Sequence, residues 1–425
     1  MIEKTVLNCG LVIISEFLPG FSSVALSYSV RGGSRIENTD NNGIHHCIEH
    51  MLFKGTSKYD LKQIADISDR LGGRLNAFTS KEITQYYTKS IAEKLPDSFD
   101  ILTDIIINST FPMDEFLKER NVLIQEIKEA EDNPETNAFE ILYEEIFKNN
   151  GLGFPIGGKE DRVASFDRNS IYDFYKNCYT PDNLLLACVG NIRHEHLVQL
   201  ANDAFKHFPP RKPTEFNFPI PSYQADIFAQ KNKSLNQAYA IIGFEAPSSI
   251  SPLRHRFSIM NDILGGGMSS RLFQQIREEK ALAYTVNSFA DTYLDCGIQL
   301  IYSIVDKKKI TEFLETVETE ILRLKEKGIT QDELDRSRDH MTASVVLSLE
   351  GPTSRMRFHV SNELNLKREM TVTEILDDIK TVTVEDINDL YRDYLDMSRA
   401  SVFFYGDLKR RQARNIAFGS VGRRR

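Results

Sequence analysis

The residues best suited to chemistry stand together in His46-Cys47-Ile48-Glu49-His50, continued by Met51-Leu52-Phe53-Lys54-Gly55-Thr56. On a helix, positions 46 and 50 lie one turn apart on the same face, with position 49 beside them. Two imidazoles at that spacing can grip one Zn²⁺, and the neighbouring carboxylate can handle a proton on water held by the metal. The order is H-x-x-E-H. The chain has only 9 histidines in 425 residues, so a chance match is expected on the order of once per hundred such chains. A solvated helix face that happens to carry two histidines is the competing reading. A catalytic zinc wants three protein ligands plus water, so two histidines leave the site one short. The stretch Glu115 to Ile127 offers a carboxylate: Leu123 and Ile127 mark one helix face, Glu119 and Glu126 another. Glutamates on an exposed helix are ordinarily just solvated, so spacing alone leaves the third ligand open.

The elements that must position these residues follow from periodicity. Residues 5–36 alternate apolar and polar, reading as strands; one is Val24 to Val30, ending at Arg31-Gly32-Gly33-Ser34. A polar turn from Asn38 to Gly43 precedes the motif helix. A second helix opens at Tyr59-Asp60-Leu61 and closes at Gly72-Gly73. Strands follow at Leu75 to Ser80 and Thr84 to Thr88. A helical period runs from Glu93 to Asn149, broken near Pro112 and Pro134, and an apolar strand spans Leu184 to Val189. Five of the 14 prolines fall in residues 207–222, which marks a linker.

Beyond the linker the pattern repeats. Leu71-Gly72-Gly73 finds a counterpart in Leu264-Gly265-Gly266, Glu115 in Glu333, and Gly190 in Gly406, the last two at offsets of 218 and 216. A near-constant offset argues for a duplicated unit. The expected fold class is α+β, with two homologous halves, each an antiparallel β-sheet with helices packed on one face. The expected divisions are a first half over 1–208, a linker over 209–230, a second half over 231–408, and a basic disordered tail over 409–425.

Bulk properties narrow the function. At 41% hydrophobic and 27% charged, the composition is that of an ordinary globular protein. No apolar run reaches the ~18 residues of a membrane span. The five cysteines form no C-x-x-C, which disfavours a disulfide framework. Cys47 reads as a small buried apolar residue. A net charge of −9 argues against a nucleic-acid partner. The seven basic residues after Asp407 leave −16 on the body, which favours cationic partners. The start reads neither as a secretory signal nor as an Arg-rich transit peptide. A bacterial cytoplasm is the expected compartment, with mitochondrial matrix or periplasm if a presequence has been removed.

Three stretches, HCIEHMLFKGT, GGRLNAFTSKEITQYY and ERNVLIQEIKEAEDNPE, resemble the pitrilysin, insulinase and mitochondrial-processing-peptidase family of zinc peptidases, in its short branch with one pair of units per chain. The resemblance covers nearly the whole chain, duplication included. It implies one zinc per chain, held by His46, His50 and Glu126, with Glu49 as general base. It gives Glu119 a supporting role near a ligand or the water. It makes Leu75 to Thr79 an edge strand to which substrate adds, contacted by Asn76 and Ala77. The second half has no H-x-x-E-H, and Ser344 stands opposite Glu126. That half carries Arg277 and Tyr284, which by resemblance bind substrate carbonyls.

The resemblance also implies partners. Two chains would face each other as a homodimer around an enclosed cavity, taking short or unfolded peptides. The acidic run Glu129, Glu131, Asp132, Glu135 either selects basic residues in the substrate or is a solvated helix face. Two other readings stand beside the homodimeric endopeptidase. One is a processing-peptidase subunit needing a catalytically silent homologous partner. The other is a non-enzymatic core subunit of a respiratory complex.

Overall fold

The computed structural model describes residues 2–72, 75–215, 218–409 and 411–415. Gly73 and Arg74 of the quoted motifs, and residues 416–425 of the expected tail, lie outside the described residues. In chain order the elements begin β1 (Ile2–Val6), β2 (Val12–Phe17), β3 (Ser23–Arg31), α1 (Ile44–Leu52), α2 (Leu61–Arg70), β4 (Asn76–Thr79) and β5 (Ile83–Ile91). Next come α3 (Leu95–Asn108), α4 (Met113–Asp132), α5 (Pro134–Ile146), α6 (Glu160–Ala164), α7 (Arg168–Cys178), β6 (Leu184–Gly190) and α8 (His194–Phe205). The remainder is β7 (Ile227–Lys231), β8 (Gln237–Ala246), α9 (Arg254–Asn261), β9 (Val286–Thr292), β10 (Gly297–Asp306), α10 (Ile310–Lys327), α11 (Gln331–Ser348), α12 (Pro352–Leu366), α13 (Val372–Thr381), α14 (Val384–Tyr394) and β11 (Ser401–Gly406).

The chain forms two compact units, each α+β. The first comprises residues 1–133, 150–219 and 348–369, and the second the rest. These units do not follow two continuous halves. Residues 134–149, with α5, belong to the second unit, and residues 348–369, with α12, to the first.

The first unit holds a six-stranded sheet in the order β1-β2-β6-β3-β5-β4. It is mixed: β2 and β6 run parallel, and the other neighbours antiparallel. Strand β6, Leu-Leu-Leu-Ala-Cys-Val-Gly, is buried along its whole length. A strand that apolar needs cover on both faces, and that is why helices are not confined to one face as expected. Leu184, Leu186 and Cys188 enter the main core with residues of α1, α3, α4, α7 and α8. Leu185, Ala187 and Val189 face the other way, against Met356 and Val360 of α12. Ion pairs fix α12 there. Arg355 donates from Nε to Glu16 Oε2 at 2.7 Å, and His359 lies between Glu16 (2.9 Å) and Glu369 (2.8 Å).

The second unit holds a five-stranded sheet in the order β7-β11-β8-β10-β9, with only β7 and β11 parallel. The order repeats β2-β6-β3-β5-β4, and the parallel pair recurs in the same place. Helix α5 occupies here the place of α12. Each begins on a proline, Pro134 and Pro352, whose fixed φ suits a first helical turn. Phe139 of α5 packs on Phe289 and Tyr302, with ring centroids 5.8 and 5.2 Å apart. Of the expected disordered tail, residues 411–415 form a helical turn with Ala413 buried.

Candidate metal centre

Helix α1 is amphipathic and short. It buries Ile44, Cys47, Ile48, Met51 and Leu52 in the core and turns His46, Glu49 and His50 to the other side. Its N-cap is Gly43, at φ 92°, with no capping side chain. A Cβ there would meet the Gly157 carbonyl oxygen at 2.8 Å, so both the left-handed backbone and the close approach require glycine. Glu37 supplies the missing cap from outside the helix. It accepts hydrogen bonds from the backbone N–H groups of Gly43 (2.7 Å) and His45 (3.0 Å), placing a negative charge at the positive end of α1. It also pairs with His45 Nδ1 at 2.9 Å, so this third histidine is buried structure rather than a ligand candidate. Cys47 is buried too, and burial pushes its thiol up to about 12.

Helix α4 buries Phe116, Glu119, Leu123 and Ile127. Glu126, one position from that face, is 44% exposed and reaches the histidines of α1. His46 Nε2 and His50 Nε2 lie 3.2 Å apart. Glu126 Oε2 lies 3.4 Å from the second and 3.8 Å from the first. Ligands ~2.1 Å from a tetrahedral zinc stand about 3.4 Å from one another. The three donor atoms therefore already have the mutual spacing a zinc ion imposes, and the donor set fits that metal. Among the described residues this is the only cluster of three metal-ligating side chains.

The surroundings prepare the histidines. Burial, and then the neighbouring His50, pull the His46 imidazole down to about 4 and keep it neutral. His50 Nδ1 lies 2.8 Å from Glu119 Oε1; as donor there, it leaves the Nε2 lone pair for a metal. Burial lowers the proton affinity of His50, but Glu119 and Glu126 outweigh it and raise it. Glu119 is held in turn by Lys54, whose Nζ is 2.6 Å from Oε2. Burial would raise the Glu119 carboxyl, yet its bonds to His50 and Lys54 hold it below the ordinary range.

Glu49 sits beside this cluster and accepts a 2.5 Å hydrogen bond from Thr79 Oγ1. Burial raises its proton affinity, against the opposing pull of Thr79. Thr79 ends β4, one of the two edge strands of the first sheet, unpaired on its outer side among the described residues. Ala77 and Thr79 share one face with their partners Tyr86 and Thr84, and Asn76 and Phe78 share the other with Tyr87 and Gln85. The Asn76 side chain is exposed and accepts from the Ala77 N–H at 2.8 Å, covering one outward amide of the edge. Within the second unit, the Arg277 guanidinium stacks 4.1 Å from the ring centroid of Tyr284, which is 77% exposed.

Glu37, Lys54 and Thr79 were not singled out from sequence. Thr79 carries a signal in hindsight, since it alternates with Ala77 on the strand after the motif, and Lys54 stands four residues after His50. Glu37 carries none.

Comparison with known proteins follows the same lines. Residues 12–160 match the family model of insulinase (peptidase family M16), and residues 165–341 match that of the peptidase M16 inactive domain. An uncharacterized zinc protease of Bacillus subtilis, YmxG, is 36% identical over 92% of this chain and 95% of its own length. A Rickettsia felis protein, also named an uncharacterized zinc protease, is 34% identical over 90% of this chain and 92% of its own. In fold alone, the chain is similar to a protease from Helicobacter pylori (TM-score 0.87, 21% identity, 96% of this chain and 99% of that one). With likeness to sequence relatives spanning nine-tenths of the chain, and two models of one family matching residues 12–160 and 165–341, the protein belongs to the insulinase (peptidase M16) family.

Proposed function

We propose that the protein is a zinc-dependent endopeptidase that hydrolyses short or unfolded peptides laid in extended form along β4. The observation supporting this most is the convergence of His46, His50 and Glu126 at zinc spacing, with Glu49 at their side and a sheet edge next to Glu49. When bound, the ion supplies Lewis acidity, which brings the pKa of a water molecule toward ~7 and polarises a carbonyl. Glu49 takes the proton of the attacking water and returns it to the leaving amine nitrogen. Thr79 holds the Glu49 carboxylate in one orientation, and Glu119 fixes the ring of His50. Backbone groups of Asn76 and Ala77 pair with the peptide. Arg277 and Tyr284 are assigned to substrate carbonyls on the family resemblance. Since one chain carries both the ligands and this pair, two identical chains form the working unit.

Metal analysis joined to a peptidase assay tests the reading. The purified chain is expected to hold one zinc, to cleave an unfolded peptide, to lose that activity to a chelator, and to regain it with zinc. Cleavage that survives complete removal of the metal contradicts it.

A further inference from the structure

Helix α12 carries an exposed cation, Arg357, that no described carboxylate answers. Among the described residues it has neither ion pair nor hydrogen bond, and it stands against two rings: the guanidinium lies 5.5 Å from the Phe78 ring centroid and 5.1 Å from that of Tyr87. The two rings meet at 6.3 Å, edge to face. This corner is firmly built. Arg355 and His359 tie α12 to Glu16 on β2, and Met356 and Val360 pack on the sheet. Phe78 belongs to β4 and Tyr87 to β5, on the sheet face opposite to Thr79. The corner therefore stands at the same free edge as Glu49, across the sheet from it.

A guanidinium stacked on a ring has its face covered and its N–H edges free. Those edges suit a carboxylate, which takes two parallel hydrogen bonds from them. In a strand added to β4, successive side chains point to opposite faces. If one residue stands over Thr79 and Glu49, its neighbour in sequence stands over Phe78 and Arg357. We propose that Arg357, Phe78 and Tyr87 form a subsite for an acidic side chain of the bound peptide, one residue from the position held beside Glu49. This rests on the reading above that peptides add to β4.

The test uses the full-length protein and peptides differing only in Asp, Glu, Ala or Lys at successive positions around one cleavage site. Cleavage is measured as kcat/KM, and binding by fluorescence anisotropy to a Glu49→Gln background that does not turn over. At one far-face position, Asp or Glu is expected to exceed Lys by about tenfold or more, the size of a hydrogen-bonded charge pair. Arg357→Ala should bring that ratio close to one, and Arg357→Glu should invert it in favour of Lys. An acidic preference that persists in Arg357→Ala, or none in the wild type at any position, overturns the subsite. Acid-dependent binding without cleavage of any peptide overturns the peptidase reading and leaves the subsite standing.

Discussion

Thr79 Oγ1 donates to Glu49 Oε2 at 2.5 Å, tying the edge strand of the first sheet to the motif helix through one hydroxyl. The bond joins the place where a peptide would lie to the carboxylate that would move its protons. Thr79→Val keeps the shape and removes the donor. It should lower kcat by about tenfold or more, the effect of a lost hydrogen bond to a charged group, while zinc content stays at one per chain. Thr79→Ser should restore most of the rate. Equal kcat in the Val and Thr forms would show that the hydroxyl does not position Glu49.

Glu119 stands between His50 and Lys54, at 2.8 and 2.6 Å. A partner of this kind fixes the orientation and tautomer of a metal-binding imidazole, and its loss costs roughly 10- to 100-fold in metal affinity. Glu119→Gln should weaken zinc binding by that order in competition with a chromophoric chelator. Lys54→Met should do so to a smaller degree, since it acts only through Glu119. Unchanged affinity in both variants would dissociate this chain of contacts from the metal.

Glu37 holds the start of α1 from within the core, accepting from Gly43, His45 and Asn42. Glu37→Ala leaves these buried donors without an acceptor, at a cost of about 3 kcal/mol or more. A marked fall in the denaturant midpoint is expected, with zinc affinity falling alongside it because His46 and His50 lie on the released helix. A variant as stable as the wild type would mean that Gly43 alone suffices to start α1.

The Glu16–Arg355–His359 cluster predicts a pH dependence that involves no metal. Burial works against ionisation of Glu16, but His359 and Arg355 outweigh it and hold its carboxyl at about 2, from an ordinary 4.5. A depressed carboxyl contributes stability that is present above its unfolded value and is lost as pH falls toward the folded one. The His359 imidazole is raised from 6.5 by Glu16 and Glu369 against its own burial. Its contribution is complete below 6.5 and fades as pH rises through the raised value. Attachment of α12 should therefore be strongest between the two limits. Glu16→Gln should lower stability near neutral pH and flatten the acid limb of the unfolding curve. An acid limb identical to that of the wild type would remove Glu16 from the account.

Parts of the candidate site and of the fold were legible in the sequence for different reasons. The H-x-x-E-H spacing is a property of one helix, so His46, Glu49 and His50 were legible from local geometry. Glu126 lies far along the chain, and only the family resemblance selected it over Glu119. The α+β class and the duplication followed from periodicity and a constant offset. The parallel pair in each sheet did not, since strand alternation carries no direction. Nor did the exchange of α5 and α12 between the units. Pro134 and Pro352 show where these helices begin, but nothing local shows which sheet they cover. The apolar run Leu184–Val189 held that clue, because a strand buried on both faces needs a second layer. Thr79, Lys54 and Glu37 act through tertiary contacts and leave no spacing to read.

Glu49→Gln tests the central claim most directly, with zinc content and peptide turnover measured on the same preparation. The substitution preserves size and removes the base without touching His46, His50 or Glu126. The account predicts one zinc per chain, as in the wild type, and cleavage lowered by at least about a hundredfold, the range for loss of a general base. Full zinc content with turnover close to that of the wild type would contradict it.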